Sequence, residues 1–344
     1  MQNSEVKDIP NPTIATVAKS TGVSMMTVSR VVNNKPGVAQ ATRERVLQVI
    51  NELGYTANPA ARNLARGRTN SISLMLPNIW SSYMSEVARG VGAALSAASY
   101  SLVIYTTDVG IEREHYHNLL LGQSADGVIM VAPCLPDEHV KHLLNRRRPC
   151  VVIDPCPSDR ALPSINVTNW AGTLAAMEHL IALGHRRIGF ISGVPYPLCN
   201  AERLRAYRDS LLKAGLKAEA RWVKSGDQTR SAGAACTREW LAEGELPTAI
   251  FAGNDDMAMG VIDALMAAGL KIPEDVSVVG FDDVPMASQI HPGLTTVHQP
   301  LQEIGQRAAE LLLAQINGQT SIPFIELPTE LIIRGSTGPA RKTP

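Results

Sequence analysis

The sequence predicts a mixed α/β protein in which a small, all-α N-terminal unit precedes a larger body of two lobes built on parallel sheets. Near the N-terminus, apolar residues recur at the spacing of one helical face. From Ser71 onward, short apolar runs alternate with helix-length amphipathic segments, which is typical of parallel sheets covered by helices. The second half repeats this order, and 344 residues are too many for one simple core, so two similar lobes are expected.

The segment that follows the first dozen residues predicts two short helices joined by a tight turn. Ile14, Val17 and Ala18 have the i, i+3, i+4 spacing of one buried helical face. Gly22 permits the turn because glycine adopts a positive φ without steric cost. Ser24 is a suitable N-cap for the second helix. Two short helices joined in this way form a helix-turn-helix, whose second helix lies in the DNA major groove.

The predicted second helix has one apolar face and one face suited to DNA. Val28, Val31 and Val32 would point inward. The outward side chains would be Met25, Met26, Ser29 and Arg30. An ordinary helical hairpin inside a larger core is the alternative, but the arginine on the outward face favours contact with nucleic acid.

These residues resemble the N-terminal signature of the lactose-repressor (LacI/GalR) family of bacterial transcription regulators. The match runs through Thr-Ile-Ala-x-Val-Ala, which begins at Thr13, and Gly-Val-Ser-x-x-Thr-Val-Ser-Arg-Val-Val-Asn, which ends at Asn33. It continues to Glu-Leu-Gly-Tyr at 52–55, and the resemblance extends to about Gly335. It implies a homodimeric repressor that binds a pseudo-palindromic operator, because one helix-turn-helix reads only a half-site. The helix-turn-helix domain is expected over residues 12–57.

The resemblance also implies which side chains contact DNA. Arg30 holds the position that reads guanine, and its planar fork can donate twice to O6 and N7. Met25 and Met26 offer flexible apolar surface to thymine methyl groups, or they pack within the protein. The complete predicted DNA-binding set is Thr13, Ser24, Met25, Met26, Thr27, Ser29, Arg30, Asn33, Asn58, Arg62, Leu64 and Arg66.

Residues 58–70 predict a hinge helix and linker. Asn58 is a candidate N-cap and Pro59 fits the first helical position. Only about nine residues precede Gly67, too few for a helix that is stable alone in water. The resemblance implies that two such helices pair over the minor groove and that Leu64 inserts there as an apolar wedge. Alternatively, the segment is a linker in which Leu64 only touches the core.

Charge and cysteine content point to a DNA-binding protein of the cytoplasm. The formal net charge is zero, but residues 1–70 hold nine basic and four acidic residues, which favours attraction to DNA phosphates. Met1–Pro12 is polar and does not predict a secretory signal, and both termini are expected to be disordered. The five cysteines, an odd number without a Cys-x-x-Cys pair, predict reduced thiols in a cytosol: Cys134, Cys150, Cys156, Cys199 and Cys236.

The body is predicted from its apolar runs. The predicted strands are Ile72–Leu76, Leu102–Tyr105, Gly127–Val131, Cys150–Ile153, Ile188–Ile191, Ala249–Ala252 and Val276–Gly280. The predicted helices include Glu86–Ser99, Trp170–Leu183, Arg203–Ala214, Asp255–Ala268 and Leu301–Ile316. Motifs such as Gly-Asn-Asp-Asp-Met-Ala-Met-Gly at 253–260 resemble the effector domain of the same family, which is similar to periplasmic sugar-binding proteins. The resemblance implies a two-lobed effector-binding and dimerisation domain over residues 71–335, with crossings near 167–169, 297–300 and 327–330.

Ligands in open α/β sheets bind beyond the carboxyl ends of the strands, which here is the cleft between the lobes. Arg203, at the start of a predicted helix, matches the family's effector-binding arginine, and Asp282 matches its pocket aspartate. We expect them on opposite walls of the cleft; a structural ion pair is the alternative. The complete predicted effector-binding set is Ser81, Tyr83, Met84, Asp108, Val167, Cys199, Arg203, Gln228, Asn254, Asp255 and Asp282.

The nature of the effector is predicted from one departure from the family pattern. Gln228 stands where the family usually has an aromatic ring that covers the ligand. Its absence disfavours a planar purine and favours a sugar or sugar derivative, with a purine or another metabolite as the alternative. Asn254 and Asp255 open a predicted helix, where they would either bind the ligand or cap the helix.

The sequence does not predict catalysis. The pairs Asp255-Asp256 and Asp282-Asp283 are adjacent in sequence, so neither predicts two carboxylates that face each other across a glycosidic bond. His115-x-His117 on a helix points in two directions and makes a poor metal pair. We therefore expect no enzyme, no metal and no cofactor. A solute-binding transport receptor with the same lobes is the alternative, which a secretory signal would favour.

Overall fold

The computed structural model describes residues 12–56, 68–106, 125–133, 135, 137–194, 198–319 and 324–341. The chain divides into two compact units, Met1–Thr69 and Asn70–Pro344. Within the described ranges, the search for a helix with the length and apolarity to cross a membrane finds none.

The N-terminal unit consists of three packed helices, α1 (Ile14–Thr21), α2 (Met25–Val32) and α3 (Gln40–Leu53). Its core is formed by buried Val17, Ala18, Val28, Val31 and Val46. Gly22 has a φ of 68°, as the tight turn between α1 and α2 requires. The two predicted helices are therefore confirmed, and α3 completes the small core that they could not close alone.

The first lobe of the body is a six-stranded parallel sheet. Its strands lie in the order β11-β5-β4-β3-β1-β2. They are β1 (Ser71–Leu76), β2 (Ser101–Thr106), β3 (Gly127–Val131), β4 (Cys150–Ile153), β5 (Ser164–Val167) and β11 (Ile325–Leu327). Helices α4 (Ser82–Ala97), α5 (Asp137–Asn145) and α11 (Leu301–Ile316) pack around it. A Cβ at Gly90 would collide with the backbone of Gln302, so glycine permits the close contact of α4 with α11.

The second lobe repeats this architecture. Its strands lie in the order β12-β10-β9-β8-β6-β7, and only β12 is antiparallel to its neighbour. They are β6 (Ile188–Ser192), β7 (Val223–Ser225), β8 (Ala249–Ala252), β9 (Ser277–Asp282), β10 (Thr295–His298) and β12 (Glu330–Ile332). The helices are α6 (Asn169–Ala182), α7 (Leu198–Lys213), α8 (Arg230–Ala242), α9 (Asp255–Ala267) and α10 (Pro285–Gln289). The chain crosses between the lobes before α6, before α11 and between β11 and β12, as predicted.

The predicted fold class is confirmed, and the differences from the predicted elements are local. All seven predicted strands are present, with ends shifted by at most two residues. Strand β9 continues to Asp282, so this residue ends the strand instead of following it. Helix α7 begins at Leu198, and Arg203 therefore lies in its second turn. The three-residue strands β7, β11 and β12 are too short for hydrophobic periodicity to reveal.

The prediction of five reduced cysteines is wrong for Cys156, which is disulfide-bonded in this structure. Cys150, Cys199 and Cys236 are buried free thiols, as predicted, and Cys134 lies outside the described residues. Cys156 follows β4 at the carboxyl edge of the first sheet, where loops that are distant in sequence meet. Sequence spacing alone does not reveal such a pairing.

Candidate functional sites

The outward face of α2 presents large side chains to solvent. Met25 and Met26 are 56% and 70% exposed, and Arg30 is exposed as well. Val28 and Val31 lie on the opposite face and are buried. Exposed methionines are unusual in a small unit whose core is already closed, because such side chains are normally buried. The exposed face therefore suits contact with another molecule.

Three of the predicted DNA-binding residues also cap the helix ends with their side chains. Thr13 Oγ1 accepts a hydrogen bond from the Thr16 backbone N–H at 3.2 Å, and Ser24 Oγ accepts one from the Thr27 N–H at 3.1 Å. Asn33 Nδ2 donates to the Ser29 carbonyl at 2.8 Å at the end of α2. These caps stabilise the two short helices and orient the free N–H groups at their N-termini, which can bind phosphate oxygens.

The Arg30 guanidinium lies over the loop that connects α2 with α3. A Cβ at Gly37 would stand 3.1 Å from Arg30 Nη1, and the Lys35 N–H donates to the Arg30 carbonyl at 2.8 Å. Residues 12–56 contain five basic and two acidic side chains, so the described part of this unit carries a positive charge. Asn58, Arg62, Leu64 and Arg66 of the predicted set lie outside the described residues.

In the body, a buried polar cluster lies between the two lobes. On the side of the first lobe, the Tyr83 hydroxyl donates to Asp154 Oδ2 at 2.5 Å. On the side of the second lobe, Arg203 Nη1 lies 4.0 Å from Asp282 Oδ1, and both side chains are about 5% exposed. Burial raises the pKa of Asp154 and the positive charge of Arg203 opposes this rise, so the two walls also interact electrostatically. The cluster thus combines side chains from both lobes.

Arg203 and Asp282 lie side by side in the second lobe, so the prediction of opposite walls is wrong. The physical reason is the strand order, because β6, which precedes α7, and β9 lie on either side of β8. The side chains at their carboxyl ends can therefore meet. Arg203 Nε donates to Asn169 Oδ1 at 2.9 Å and Nη1 donates to the Gly253 carbonyl at 2.6 Å. Its guanidinium carbon is 3.6 Å from the centre of the Phe281 ring.

The lobes touch each other beside this cluster. The Leu198 N–H of the second lobe donates to the Pro155 carbonyl of the first at 3.2 Å. Met259 and Val284 of the second lobe belong to the same apolar cluster as Val87 of the first lobe. The two lobes are therefore in direct contact beside the cluster, and a ligand bound at the cluster would lie next to both lobes.

Burial is the largest cause of the pKa shifts in the cluster. It raises the pKa of Asp154 above its ordinary value, although the Tyr83 hydrogen bond and Arg203 both act to lower it. Burial also raises the pKa of Asp282, where the nearby Asp255 adds to the shift and Arg203 opposes it. The pKa of Cys199 rises to about 12, mainly through burial, so its thiol is protonated and unreactive near neutral pH.

The side chains of Asn254 and Asp255 form hydrogen bonds within the protein. Asn254 Oδ1 caps α9 by accepting the Met257 N–H at 2.9 Å, and its Nδ2 donates to the Gln228 carbonyl at 3.0 Å. Asp255 is fully buried, and its two oxygens accept hydrogen bonds from Thr296 Oγ1 at 2.5 Å and the Val284 N–H at 2.9 Å. These bonds favour the capping alternative for Asn254 and a positioning role for Asp255.

The remaining predicted effector residues divide between the cleft and the core. Gln228 has a φ of 71°, and its amide approaches Asn200 over Gly193, where a Cβ would meet both amides within 2.9 Å. Met84 and Val167 pack in the apolar core of the first lobe. Cys199 is buried among the polar cluster, Ser81 precedes α4, and Asp108 lies outside the described residues.

Sequence reasoning missed Asp154, Asn169, Asn200 and Gln299. Asp154 directly follows β4, so the rule that selected Asp282 would have found it. Gln299, at the second crossing, is 1% exposed, and its Nε2 donates to Asp282 Oδ1 at 2.7 Å. No local signal marks it, since its contact depends on the pairing of β9 with β10. Among the residues that the structure describes, no group of three or more potential metal ligands is found.

Comparison with known proteins gives matches along nearly the whole chain. The profile of bacterial regulatory proteins of the lacI family matches residues 13–58, and that of the periplasmic binding protein-like domain matches residues 177–337. Catabolite control protein A of Priestia megaterium is 35% identical over 330 residues, which cover 95% of this chain and 99% of that protein. Among solved structures, the transcriptional regulator CelR–cellobiose complex is 35% identical with a TM-score of 0.73, covering 94% and 99% of the two chains. The lac repressor dimer bound to operator and the anti-inducer ONPF is 30% identical with a TM-score of 0.83, covering 96% and 100%.

Proposed function

This chain belongs to the lacI family of bacterial regulatory proteins, and we propose that it is a repressor of carbohydrate uptake or catabolism genes whose operator affinity depends on a small sugar-like effector. The observation that carries the proposal is the buried polar cluster between the lobes. A ligand there would contact Asp154 of the first lobe and Arg203 and Asp282 of the second. It could therefore favour one arrangement of the lobes over another, which is what a change in operator affinity requires.

A carbohydrate is the ligand class that the side chains support best. Carboxylates and a guanidinium can accept from and donate to neighbouring hydroxyl groups. The amides of Gln228 and Asn200 add further polar groups at the edge of the cleft. The related CelR is known in complex with cellobiose, in agreement with this choice. We infer that the protein acts by binding and catalyses no reaction.

For DNA, we infer that a homodimer places one α2 in each half-site of a pseudo-palindromic operator. The related lac repressor binds its operator as a dimer. Exposed Met25, Met26 and Arg30 would face the bases, while the N-termini of α1 and α2 would contact phosphates. Residues 58–70 would form the hinge, with Leu64 inserted in the minor groove. Since its target is chromosomal DNA, we place the protein in the cytoplasm.

The experiment that tests this function measures binding to a pool of random duplexes, followed by titration of the selected sequence with and without neutral sugars. We expect the selected sites to be pseudo-palindromic, and at least one sugar to change the operator affinity. Selection of no preferred sequence would contradict the operator assignment. Unchanged affinity with every sugar, but a change with a purine, would replace the carbohydrate by the alternative ligand class.

A further inference from the structure

The first-lobe wall of the cleft carries a carboxylate in an unusual backbone conformation. Asp154 has a φ of 52°, which side chains with a Cβ rarely adopt, and it is buried. Its Oδ2 accepts the Tyr83 hydroxyl at 2.5 Å. Strained residues of this kind concentrate at binding sites, where the surrounding structure maintains them. The surrounding structure therefore holds the Tyr83–Asp154 pair in place on the wall that faces Arg203.

The charges in the cluster do not cancel. Arg203 lies 4.0 Å from Asp282, which balances its single positive charge. The same guanidinium already donates to Asn169 and to the Gly253 carbonyl. Asp154 is the additional carboxylate, since its described hydrogen-bond partner is the neutral Tyr83 hydroxyl. Among the residues that the structure describes, the cluster thus has more carboxyl groups than cationic groups.

Two of the helix N-termini beside the cleft, those of α9 and α7, do not supply a compensating site for an anion. Helix α9 has the carboxylates of Asp255 and Asp256 in its first turn, and Asn254 caps it. At the start of α7, the Leu198 N–H donates to the Pro155 carbonyl. Free N–H groups at a helix N-terminus would attract an anion, but at the starts of α7 and α9 protein acceptors and acidic side chains already occupy these positions.

We propose that the effector is an uncharged, polyhydroxylated saccharide, and that Asp154 makes the cleft reject phosphorylated and acidic sugars. This inference rests on the proposed function, because it concerns the same cleft. Hydroxyl groups can donate to the Asp154 and Asp282 carboxylates and accept from Arg203. A phosphate or carboxylate would lose its hydration on entry and meet the Asp154 carboxylate, while the Arg203 guanidinium is already paired with Asp282.

Calorimetry on the full-length protein with matched neutral and anionic saccharides tests the inference. The pairs are cellobiose and cellobionate, glucose and glucose 6-phosphate, glucose and glucuronate, and ribose and ribose 5-phosphate. In every pair that binds, we expect the neutral member to bind roughly tenfold more tightly or better. An anionic member that binds as tightly as its neutral partner overturns the inference while leaving the proposed function intact. Binding of none of these compounds contradicts both.

Substitution of Asp154 tests whether its carboxylate causes the preference for the neutral saccharide over the anionic one. Asp154→Asn keeps the shape and removes the charge, so the preference for the neutral member should fall several-fold. Glu138→Gln, at an exposed residue of α5 in the same lobe, removes the same charge outside the polar cluster and should leave the preference unchanged. Tyr83→Phe retains the carboxylate and should retain the discrimination. An equal fall in Asp154→Asn and Glu138→Gln, or no fall in either, would contradict the role of Asp154.

Discussion

The outward face of α2 and the polar cluster between the lobes hold their functional side chains in opposite ways. Met25, Met26 and Arg30 are exposed on a helix whose fold depends on residues of the other face. Arg203 and Asp282 are buried and bonded to the protein around them. Substitutions on the outward face of α2 should therefore change DNA binding alone, whereas substitutions in the cluster should change stability and ligand binding together.

The largest expected effect is that of Arg203→Ala. It removes the partner of buried Asp282 and leaves Asn169 Oδ1 and the Gly253 carbonyl without a donor. We expect the free energy of unfolding to fall by about 3 kcal/mol, and the response to effector to be lost. Denaturant unfolding and calorimetry measure the two effects. Arg205→Ala, exposed on the same helix, is the control and should change neither; wild-type ligand affinity in Arg203→Ala would remove this residue from the site.

Asp255→Asn should change how stability depends on pH. Burial raises the pKa of Asp255 to about 7, from an ordinary value of 3.8. A carboxyl whose pKa is raised by folding binds more protons in the native state, so its contribution to stability is lost as pH rises from about 4 to 7. Relative to wild type, Asp255→Asn should therefore gain stability between pH 5 and pH 7.5. A difference in unfolding free energy that stays constant over this range would contradict the shift.

Arg30→Ala should weaken operator binding by roughly 1–3 kcal/mol and relax the preference at one base pair per half-site. Its side chain is exposed, so the melting temperature should stay close to that of the wild type. Arg45→Ala, exposed on α3, removes the same charge without removing a predicted base contact. Fluorescence anisotropy with each single-base operator variant makes the comparison. If Arg30→Ala retains the wild-type base preference, this arginine does not read a base.

The smallest effect is expected for Met26→Ala. The side chain is 70% exposed, so its loss should change the free energy of unfolding by less than about 0.5 kcal/mol. If it contacts a thymine methyl group, replacing thymine by deoxyuridine should weaken wild-type binding at that position and leave Met26→Ala unaffected. Equal weakening of both proteins would indicate that Met26 does not contact the methyl group.

The two sites also differ in how far the sequence predicted them. The orientation of α2 follows from local information, namely helical spacing, Gly22 and the Ser24 cap, and the structure agrees with it. The pairing of Arg203 with Asp282 depends on strand order in the second sheet, which local patterns do not contain. The same limit explains the missed contact of Gln299.

We expect the cleft and the operator-binding unit to be energetically linked, and reciprocal titration of the wild-type protein measures this linkage. Operator affinity is measured with and without saturating effector, using the sugar that binds most tightly, and effector affinity is measured with and without operator. Linkage requires both ratios to be equal, and typical coupling of about 1–3 kcal/mol corresponds to a change of roughly 5- to 150-fold. We predict that the ratio of operator affinities and the ratio of effector affinities are equal and differ from one. A ratio of one in both titrations, with a sugar that binds, would contradict the account.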